Sequence, residues 1–354
     1  MRRILILFFT LVLFSCEKEK LSFIEGVSTL AADTNSSVWF MSNLGLTRYM
    51  NQSWTNFSLA DQGIAMADIT GFYTKGNDFY ILTNFGYVQY VASASVILPL
   101  TRVDKASAGF LSDTMLQMKT IGARNFVITT RNFSVLQNNQ WFHQRDSLIT
   151  GFDISNDTCY VATRGWGVSR YILNVDGFTG ASAYQYGYGC LINDTVHAVL
   201  IAKNRTQWYG TQDGVFFHPE FDSKSYWQQF GTADGLPDKK VYMLMEDSQG
   251  RIWAATEKGV SFYNGSTWSS FSTPKVTAMK EDKNGTVWIG TVQCLVSYNG
   301  SWNLYTTAEG LAGNKITAVS PANDGSVWFG TDKGATQYVD GVFKKYLSIT
   351  QNEE

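Results

Sequence analysis

Charged side chains and proline are scarce in this chain of 354 residues, at 16% and five residues respectively. Lys and Arg number 28 against 30 Asp and Glu, so the formal net charge is −2. With neither a basic stripe nor a polybasic arm, the sequence argues against nucleic acid as a partner. Glycine, with 31 residues, and aromatic side chains, at 15%, are abundant instead. That mixture excludes a disordered chain and is typical of many short strands joined by tight turns.

The amino terminus has the pattern of a secretory signal over residues 1–15. A basic start precedes an apolar run that is too short for a comfortable membrane span and that ends abruptly at Glu17. The end of the run, Leu13-Phe14-Ser15-Cys16, resembles a bacterial lipobox, in which the cysteine is acylated after cleavage. We therefore expect Cys16 to attach the mature protein to a lipid bilayer. An ordinary signal peptide and an uncleaved anchor are the alternatives.

The residues after Cys16 bear on the cellular location. Glu17 stands at the second position of the expected mature chain, where an Asp would signal retention in the inner membrane. The charged run that follows resembles those seen after the lipidated cysteine in Bacteroidota. We expect an outer-membrane lipoprotein, on either the periplasmic face or the cell surface.

Internal repeats dominate the remainder of the chain. The segments 251–256, 286–291 and 326–331 align closely, and weaker copies recur upstream. The aligned aromatic or apolar residues are Trp39, Tyr80, Val127, Tyr160, Trp208, Trp253, Trp288 and Trp328. Their mean spacing of about 41 residues is the size of a four-stranded propeller blade.

Turn signals within each repeat support four strands per blade. Asp-x-x-Gly before the central strand, Thr-x-x-Gly after it, and a later Asn-Gly or Asp-Gly mark three hairpins. In the best-kept repeat the predicted strands are 276–281, 286–291, 295–298 and 302–305. The central strand is apolar on both faces, as a strand covered by two neighbouring blades would be. Gly210, Gly290 and Gly330, which follow the central tryptophan, are expected to make room for a large ring of the next blade.

The predicted fold is all-β, a single β-propeller of four-stranded antiparallel blades. Eight complete units begin near Gly26, Asp68, Met115, Ile149, Leu191, Val241, Val276 and Ile316. Seven blades with one degenerate repeat is the alternative. Little sequence remains at either end to complete a shared blade, so we expect the ring to close without strand exchange. The predicted division is a signal peptide at 1–15, a lipidated tether at 16–24, the propeller at 25–348 and a tail at 349–354.

Two segments carry a family resemblance. Residues 227–241 and 302–316, each followed by a copy of the central strand, resemble the two-component regulator propeller repeat. The resemblance is specific over 205–345 and diffuse over 25–200. It implies a propeller like those in the extracytoplasmic sensor regions of hybrid histidine kinases, many of which respond to glycans. Those sensors also carry a second propeller, a β-sandwich, a membrane helix and a kinase, none of which we identify here, so a phosphorelay role is not expected of this chain.

Catalytic and metal-binding patterns are missing from the sequence. The three histidines, His143, His197 and His218, lack metal-ligand spacing, and no GxSxG elbow occurs. Asp213, Glu257 and Asp332 occupy equivalent turns and are interpreted as turn-formers rather than acid–base pairs. We therefore expect no metal, no cofactor and no enzymatic activity. A propeller lyase or hydrolase is the least favoured alternative.

Three cysteines remain once Cys16 is lipidated, so at least one thiol must be free. They are Cys159, Cys190 and Cys294. A bridge between Cys159 and Cys190 would join adjacent blades, and the sequence leaves this pairing open.

One sector of the predicted loop face is irregular. The turn 163–167 is one residue longer than its sister turns and presents Arg164 and Trp166 between glycines. The adjoining blade connection contributes Tyr186 and Tyr188. Aromatic faces beside hydrogen-bonding groups suit sugar rings or peptides. These four residues form the candidate ligand site of a non-catalytic envelope binding module that captures or senses a carbohydrate, the alternative being a scaffold that docks another envelope protein.

Overall fold

The sheets of the computed structural model form a ring of eight blades. The structure describes residues 27–33, 37–42, 45–57, 59–60, 63–76, 78–92, 97–104, 108–110, 114–146, 148–184, 194–219 and 227–347. Each sheet consists of four strands that are consecutive in the chain and antiparallel. The prediction of eight blades is therefore confirmed, and the seven-blade alternative is wrong. The expected signal peptide, Cys16, the tether 16–24 and the tail 349–354 lie outside the described residues.

Strands A to D of each blade run from the ring axis outward. In blades 1 to 4 they are β1 Val27–Ala32, β2 Val38–Ser42, β3 Gly45–Met50, β4 Ser53–Phe57, β5 Ile69–Lys75, β6 Asp78–Thr83, β7 Gly86–Ala92, β8 Ile97–Asp104, β9 Met115–Ile121, β10 Arg124–Thr129, β11 Asn132–Gln137, β12 Gln140–Arg145, β13 Ile149–Ser155, β14 Thr158–Thr163, β15 Val168–Asn174 and β16 Gly177–Tyr184. In blades 5 to 8 they are β17 Val196–Ile201, β18 Gln207–Thr211, β19 Gly214–His218, β20 Gln228–Phe230, β21 Val241–Glu246, β22 Ile252–Thr256, β23 Gly259–Tyr263, β24 Trp268–Ser272, β25 Val276–Glu281, β26 Val287–Thr291, β27 Leu295–Tyr298, β28 Trp302–Tyr305, β29 Ile316–Pro321, β30 Val327–Thr331, β31 Gly334–Val339 and β32 Val342–Leu347.

The best-kept repeat folds as predicted, apart from a central strand that begins at Val287. One aligned position in blade 3 is wrong by a residue. In blade 6 the fifth residue of the inner strand, Met245, pairs with the central Trp253. In blade 3 the fifth residue of the inner strand, Lys119, pairs with Phe126. Phe126, and not Val127, therefore occupies the position of the central tryptophan. The predicted starts near Gly26 and Leu191 lie outside the described residues, and the inner strand of blade 5 begins at Val196.

Every blade closes its B–C turn with the same hydrogen bond. A Ser or Thr that ends strand B donates its hydroxyl to the carbonyl oxygen of the residue that opens strand C or immediately precedes it. The donors are Ser42, Thr83, Thr129, Thr163, Thr211, Thr256, Thr291 and Thr331, and their Oγ-to-O distances run from 2.8 to 3.5 Å. All eight are buried. We call this contact the hydroxyl latch. In blades 4 and 7 the same carbonyl also accepts the backbone N–H of Thr163 or Thr291, so the hydroxyl adds a second hydrogen bond across the turn.

At the A–B end, a second contact fixes the central tryptophan in five blades. In blades 1, 6 and 7 the indole Nε1 donates to an aspartate that also accepts backbone N–H groups of the turn; the aspartates are Asp33, Asp247 and Asp282. In blades 5 and 8 the indole donates to a hydroxyl, that of Thr206 or Ser326. We call both forms the indole latch.

The ring closes by packing, as expected. Ala32 of blade 1 donates its N–H to the Ser320 hydroxyl of blade 8 at 2.9 Å, and the Phe40 and Trp328 rings meet edge to face with centroids 5.3 Å apart. Each of these two blades keeps its own four strands.

The glycines after the central tryptophan receive a different neighbour from the one predicted. A Cβ on Gly290 would lie 2.6 Å from Cγ2 of Ile316, and one on Gly330 would lie 2.7 Å from Cγ1 of Val27. Each neighbour opens the inner strand of the next blade. The glycines therefore admit a β-branched aliphatic side chain, not a large ring.

Helix is confined to short segments in the described part of the chain. It includes the two 3-10 helices Met66–Asp68 and Thr232–Asp234. Within the described ranges, we find no helix with the length and apolar character needed to cross a membrane.

Candidate functional site

The end of the ring that bears the B–C turns and the D–A connections, here called the B–C face, contains the predicted ligand sector. The long turn of blade 4 keeps the hydroxyl latch, because Thr163 Oγ1 donates to Gly167 O at 3.0 Å. Its extra residue is accommodated by two left-handed glycines, Gly165 at φ +102° and Gly167 at φ +71°. The longer loop therefore projects without disturbing the strands beneath it.

Backbone hydrogen bonds fasten this turn to both flanking blade connections. The N–H groups of Gly165 and Gly167 both donate to Asp194 O at 2.9 Å, and Arg164 N donates to Leu148 O at 2.9 Å. Trp166, between the two anchored glycines, is 59% exposed. A large ring is thus presented to solvent on a fixed backbone, which reduces the entropy lost when a ligand stacks on it.

Arg164 belongs to a polar cluster that the sequence did not reveal. His197, the second residue of the blade 5 inner strand, bonds through Nε2 to Gln212 Oε1 at 3.1 Å. The pKa of His197 is lowered, first by burial and further by the positive charges of Lys240 and Arg164, against the raising effect of Gln212. Polar groups from blades 4, 5 and 6 are therefore close enough to interact around His197, and the histidine is held neutral near pH 7.

Ion pairs continue along the B–C face through blades 5 to 7. Lys239 Nζ lies 3.0 Å from Asp213 Oδ1, and Glu257 Oε1 lies 3.0 Å from Lys275 Nζ and 3.5 Å from Lys240 Nζ. The pKa of Glu257 is lowered, mainly by its hydrogen bond from Lys275. Asp213 and Glu257, interpreted from the sequence as turn-formers, are also ion-pair partners here.

Two lysines face each other across the ring axis. Lys119 in blade 3 and Lys280 in blade 7 occupy the same register position of the inner strand, opposite the central aromatic residue. Blades 3 and 7 are diametrically opposed in a ring of eight. The pKa of Lys280 is lowered, first by burial and then by Lys119. Lys119 is also ion-paired to Asp153 of blade 4.

The structure thus brings Arg164 and Trp166 together, while Tyr186 and Tyr188 lie outside the described residues. Cys190 lies outside them too, and Cys159 is a free thiol in the structure, so the pairing that the sequence left open is not formed there. Cys159 itself is fully buried in β14, where burial raises the pKa of its thiol. It is therefore a core side chain, and the described turn supplies only one half of the predicted sector.

The remaining histidines take structural roles. His143 bonds to Ser134 Oγ at 2.9 Å and to Ala108 O at 2.7 Å, and burial lowers its pKa. His218 is buried against the ring of Trp227. Among the described residues, we find no group of three His, Cys, Asp or Glu side chains that could hold a metal ion.

Three segments of the chain match the model of a known family. Segments 235–258, 270–293 and 310–333 match the family model described as "Two component regulator propeller". They lie in blades 6 to 8 and the connections between them, within the range where the resemblance is specific. No curated protein matches the chain in sequence.

Solved structures share the fold at low sequence identity. The computationally designed protein Ika8 is 12% identical with a TM-score of 0.61, over 92% of this chain and 98% of that chain. Streptogramin B lyase is 11% identical with a TM-score of 0.52, over 92% and 95%. An extracellular domain described as part of the hybrid two component system BT3049 of B. thetaiotaomicron is 16% identical with a TM-score of 0.49. The match covers 91% of this chain and 51% of that one, so the chain spans about half of its length.

Proposed function

The chain carries repeats of the two-component regulator propeller family, and from this premise we propose that it is a non-catalytic cell-envelope protein whose ring binds a carbohydrate at the B–C face. The observation that carries the proposal is Trp166, exposed on a turn that three backbone hydrogen bonds hold in place. Exposed aromatic faces on rigid loops stack on the C–H faces of sugar rings.

The charges around Trp166 favour an acidic sugar. Arg164 and Lys240 are both close enough to His197 for their positive charges to lower its pKa. Among the described residues the Arg164 guanidinium has no ion-pair partner, so a ligand carboxylate would meet an uncompensated cation.

Calorimetry tests this proposal directly. We expect the purified chain to bind oligogalacturonides, which carry one carboxylate per sugar, more tightly than neutral cello-oligosaccharides. Trp166→Ala should weaken binding at least about tenfold, because it removes the stacking surface. Leu304→Ala, which shortens an exposed side chain elsewhere on the ring, is the matched control and should bind as the unaltered chain does. Equal affinities for Trp166→Ala and Leu304→Ala would contradict the proposal.

A protein-docking scaffold is the second candidate. Leu148, 57% exposed, accepts the hydrogen bond from Arg164 N and lies beside the Trp166 turn, so the sector also presents apolar surface. Co-purification of an envelope protein that Trp166→Ala abolishes, in a chain with no affinity for sugars, would favour this function. Turnover of a polysaccharide would instead indicate the lyase or hydrolase alternative.

Attachment to the outer membrane through acylated Cys16 is part of the proposal and rests on the sequence pattern of residues 1–16. Radiolabelled palmitate should be incorporated into the chain and not into a Cys16→Ser variant. Incorporation in both would contradict lipidation at this residue.

A further inference from the structure

Aromatic rings pack at four successive blade junctions, from blade 5 round to blade 1. Each group consists of the central tryptophan of one blade, a ring from strand D of the same blade, and two rings from the next blade. The groups are Trp208, Phe230, Tyr263 and Trp268; Trp253, Phe271, Tyr298 and Trp302; Trp288, Tyr305, Tyr338 and Phe343; and Trp328, Tyr346, Tyr49 and Trp54. We call each group a junction quartet.

Two side chains per blade decide how much space is left over the tryptophan. One is the residue two positions before the tryptophan in the sequence. The other is the strand C residue that pairs with the tryptophan in the sheet. From blade 1 and blades 5 to 8, these pairs are Ser37 and Arg48, Thr206 and Phe217, Arg251 and Phe262, Thr286 and Ser297, and Ser326 and Gln337. In this set, only blade 7 has two small side chains.

Blade 6 shows what fits over a junction quartet. The guanidinium carbon of Arg251 lies 5.0 Å from the Phe262 ring centroid, 5.1 Å from Tyr298 and 5.5 Å from Trp253. Its Nε donates to Asp247 Oδ2 at 2.5 Å. Blade 1 uses the other position for the same purpose, since the Arg48 guanidinium lies 5.3 Å from the Trp39 ring. Cation–π contacts of this kind are strongest where water is excluded.

Blade 7 leaves the equivalent space open. With Thr286 and Ser297 in place of the arginine and the large ring, a cavity of about 380 Å³ opens between blades 7 and 8, at the end of the ring opposite the B–C face. Its floor includes Trp288, Tyr305 and Tyr338. The cavity therefore exists because this junction lacks the side chain that fills its neighbour.

The acceptor that binds the blade 6 guanidinium is present and less occupied in blade 7. Asp247 Oδ2 accepts two hydrogen bonds, from Trp253 Nε1 and from Arg251 Nε. Asp282 Oδ2 accepts one, from Trp288 Nε1 at 2.8 Å. It retains capacity for a second donor.

The charge of the cavity matches a cation. Asp282, Asp324 and Asp340 line it against a single cation, Lys283. The amine of Lys283 lies close to Gly325. The lining carries a net negative charge, which favours a positive ligand.

We propose that the cavity between blades 7 and 8 is a binding site for a guanidinium group, such as the side chain of an arginine in a partner peptide. The ligand would stack on the quartet and donate to Asp282, as Arg251 does to Asp247 in blade 6. The site is separate from the proposed carbohydrate site and does not depend on it.

Nuclear magnetic resonance of the tryptophan indole N–H groups tests the site, because Trp288 lies in its floor. The chain has 11 tryptophans, and Trp288→Phe identifies the relevant signal. The probes are N-acetyl-arginine amide and its uncharged isostere N-acetyl-citrulline amide. We expect the arginine probe to shift the Trp288 signal with a dissociation constant in the millimolar range, and the citrulline probe to bind at least about tenfold more weakly.

Paired variants separate the proposal from nonspecific effects. Thr286→Arg should supply the internal guanidinium and abolish the response, while the other indole signals report that the ring is intact. Arg251→Thr combined with Phe262→Ser should open the sister junction, so that the Trp253 signal also responds. No shift of Trp288 with the arginine probe, equal binding of citrulline, or an unchanged response in Thr286→Arg would each overturn the proposal.

Discussion

The two ends of the ring differ in how far their side-chain hydrogen bonds are the same from blade to blade. At the B–C face all eight blades use the same hydroxyl latch, from Ser42 in blade 1 to Thr331 in blade 8. At the opposite end the indole latch takes an aspartate in three blades and a hydroxyl in two, and blades 2 to 4 have no tryptophan at this position. The uniform end thus holds strands B and C in register, and the variable end tolerates substitution.

That tolerance has a functional consequence. At the B–C face, blade 4 lengthens its turn by one residue before Gly167 and keeps the hydroxyl latch. The A–B end varies by exchanging side chains inside the blade junctions, and the exchange of Arg251 for Thr286 opens a cavity. A binding site can therefore arise at the B–C face from a longer loop, and at the A–B end from the replacement of large side chains by small ones.

The largest effect is expected where one aspartate organises the whole A–B turn. Asp247 is fully buried and accepts hydrogen bonds from Trp253 Nε1, Arg251 Nε and two backbone N–H groups. Asp247→Ala should lower the free energy of unfolding by about 3 kcal/mol, because it leaves the partly buried Arg251 cation and a buried indole N–H without this acceptor. Urea titration measures the change. Asp332→Ala, on an exposed turn, is the control, and its free energy of unfolding should change little. If Asp247→Ala lost no more stability than Asp332→Ala, Asp247 would not be what holds the A–B turn.

A smaller loss is expected at the uniform end. Thr256 is fully buried; its hydroxyl donates to Gly259 O at 2.8 Å and accepts from Lys258 N at 3.3 Å. Thr256→Val keeps the shape and should cost about 1.5 kcal/mol in urea titration. Thr256→Ser, which keeps the hydroxyl, should cost clearly less. If serine and valine proved equally destabilising, the hydroxyl latch would not be the contact that matters.

The smallest change is expected from restoring an aspartate where the chain lacks one. Blade 8 has Ala322 at the position of Asp247, and Trp328 Nε1 donates to Ser326 Oγ at 3.1 Å instead. Ala322→Asp should raise the free energy of unfolding by at most about 1 kcal/mol, since the indole already has an acceptor. Ala322→Asn provides the uncharged comparison. A gain as large as the loss in Asp247→Ala would show that the hydroxyl form is a poor substitute.

Much of the fold could be read from repetition. Aligned tryptophans and turn glycines gave the blade size, the blade number and the strands of the best-kept repeat, because each of these features is local in the chain. The register of blade 3 was missed by one residue, since Phe126 and Val127 are both apolar and only the position of Thr129 separates them. The neighbours of Gly290 and Gly330 were missed because they belong to the next blade.

Less of the candidate sites could be predicted. The long turn with Trp166 was visible as an insertion between glycines. His197, Gln212 and Lys240 could not be assigned to it, because they come from different blades and carry no shared motif. The opposition of Lys119 and Lys280 follows from counting blades round a closed ring, which requires both the number of blades and the register of each inner strand.

By itself the sequence determined that the chain forms a ring of four-stranded blades, because hydrophobic pattern and turn chemistry act over a few residues at a time. Tertiary structure alone decided which side chains meet between blades. The space above Trp288 depends on two small residues of its own blade and on rings contributed by the next. Packing across a junction is a property of both blades at once, and for that reason the cavity has no signature in either repeat alone.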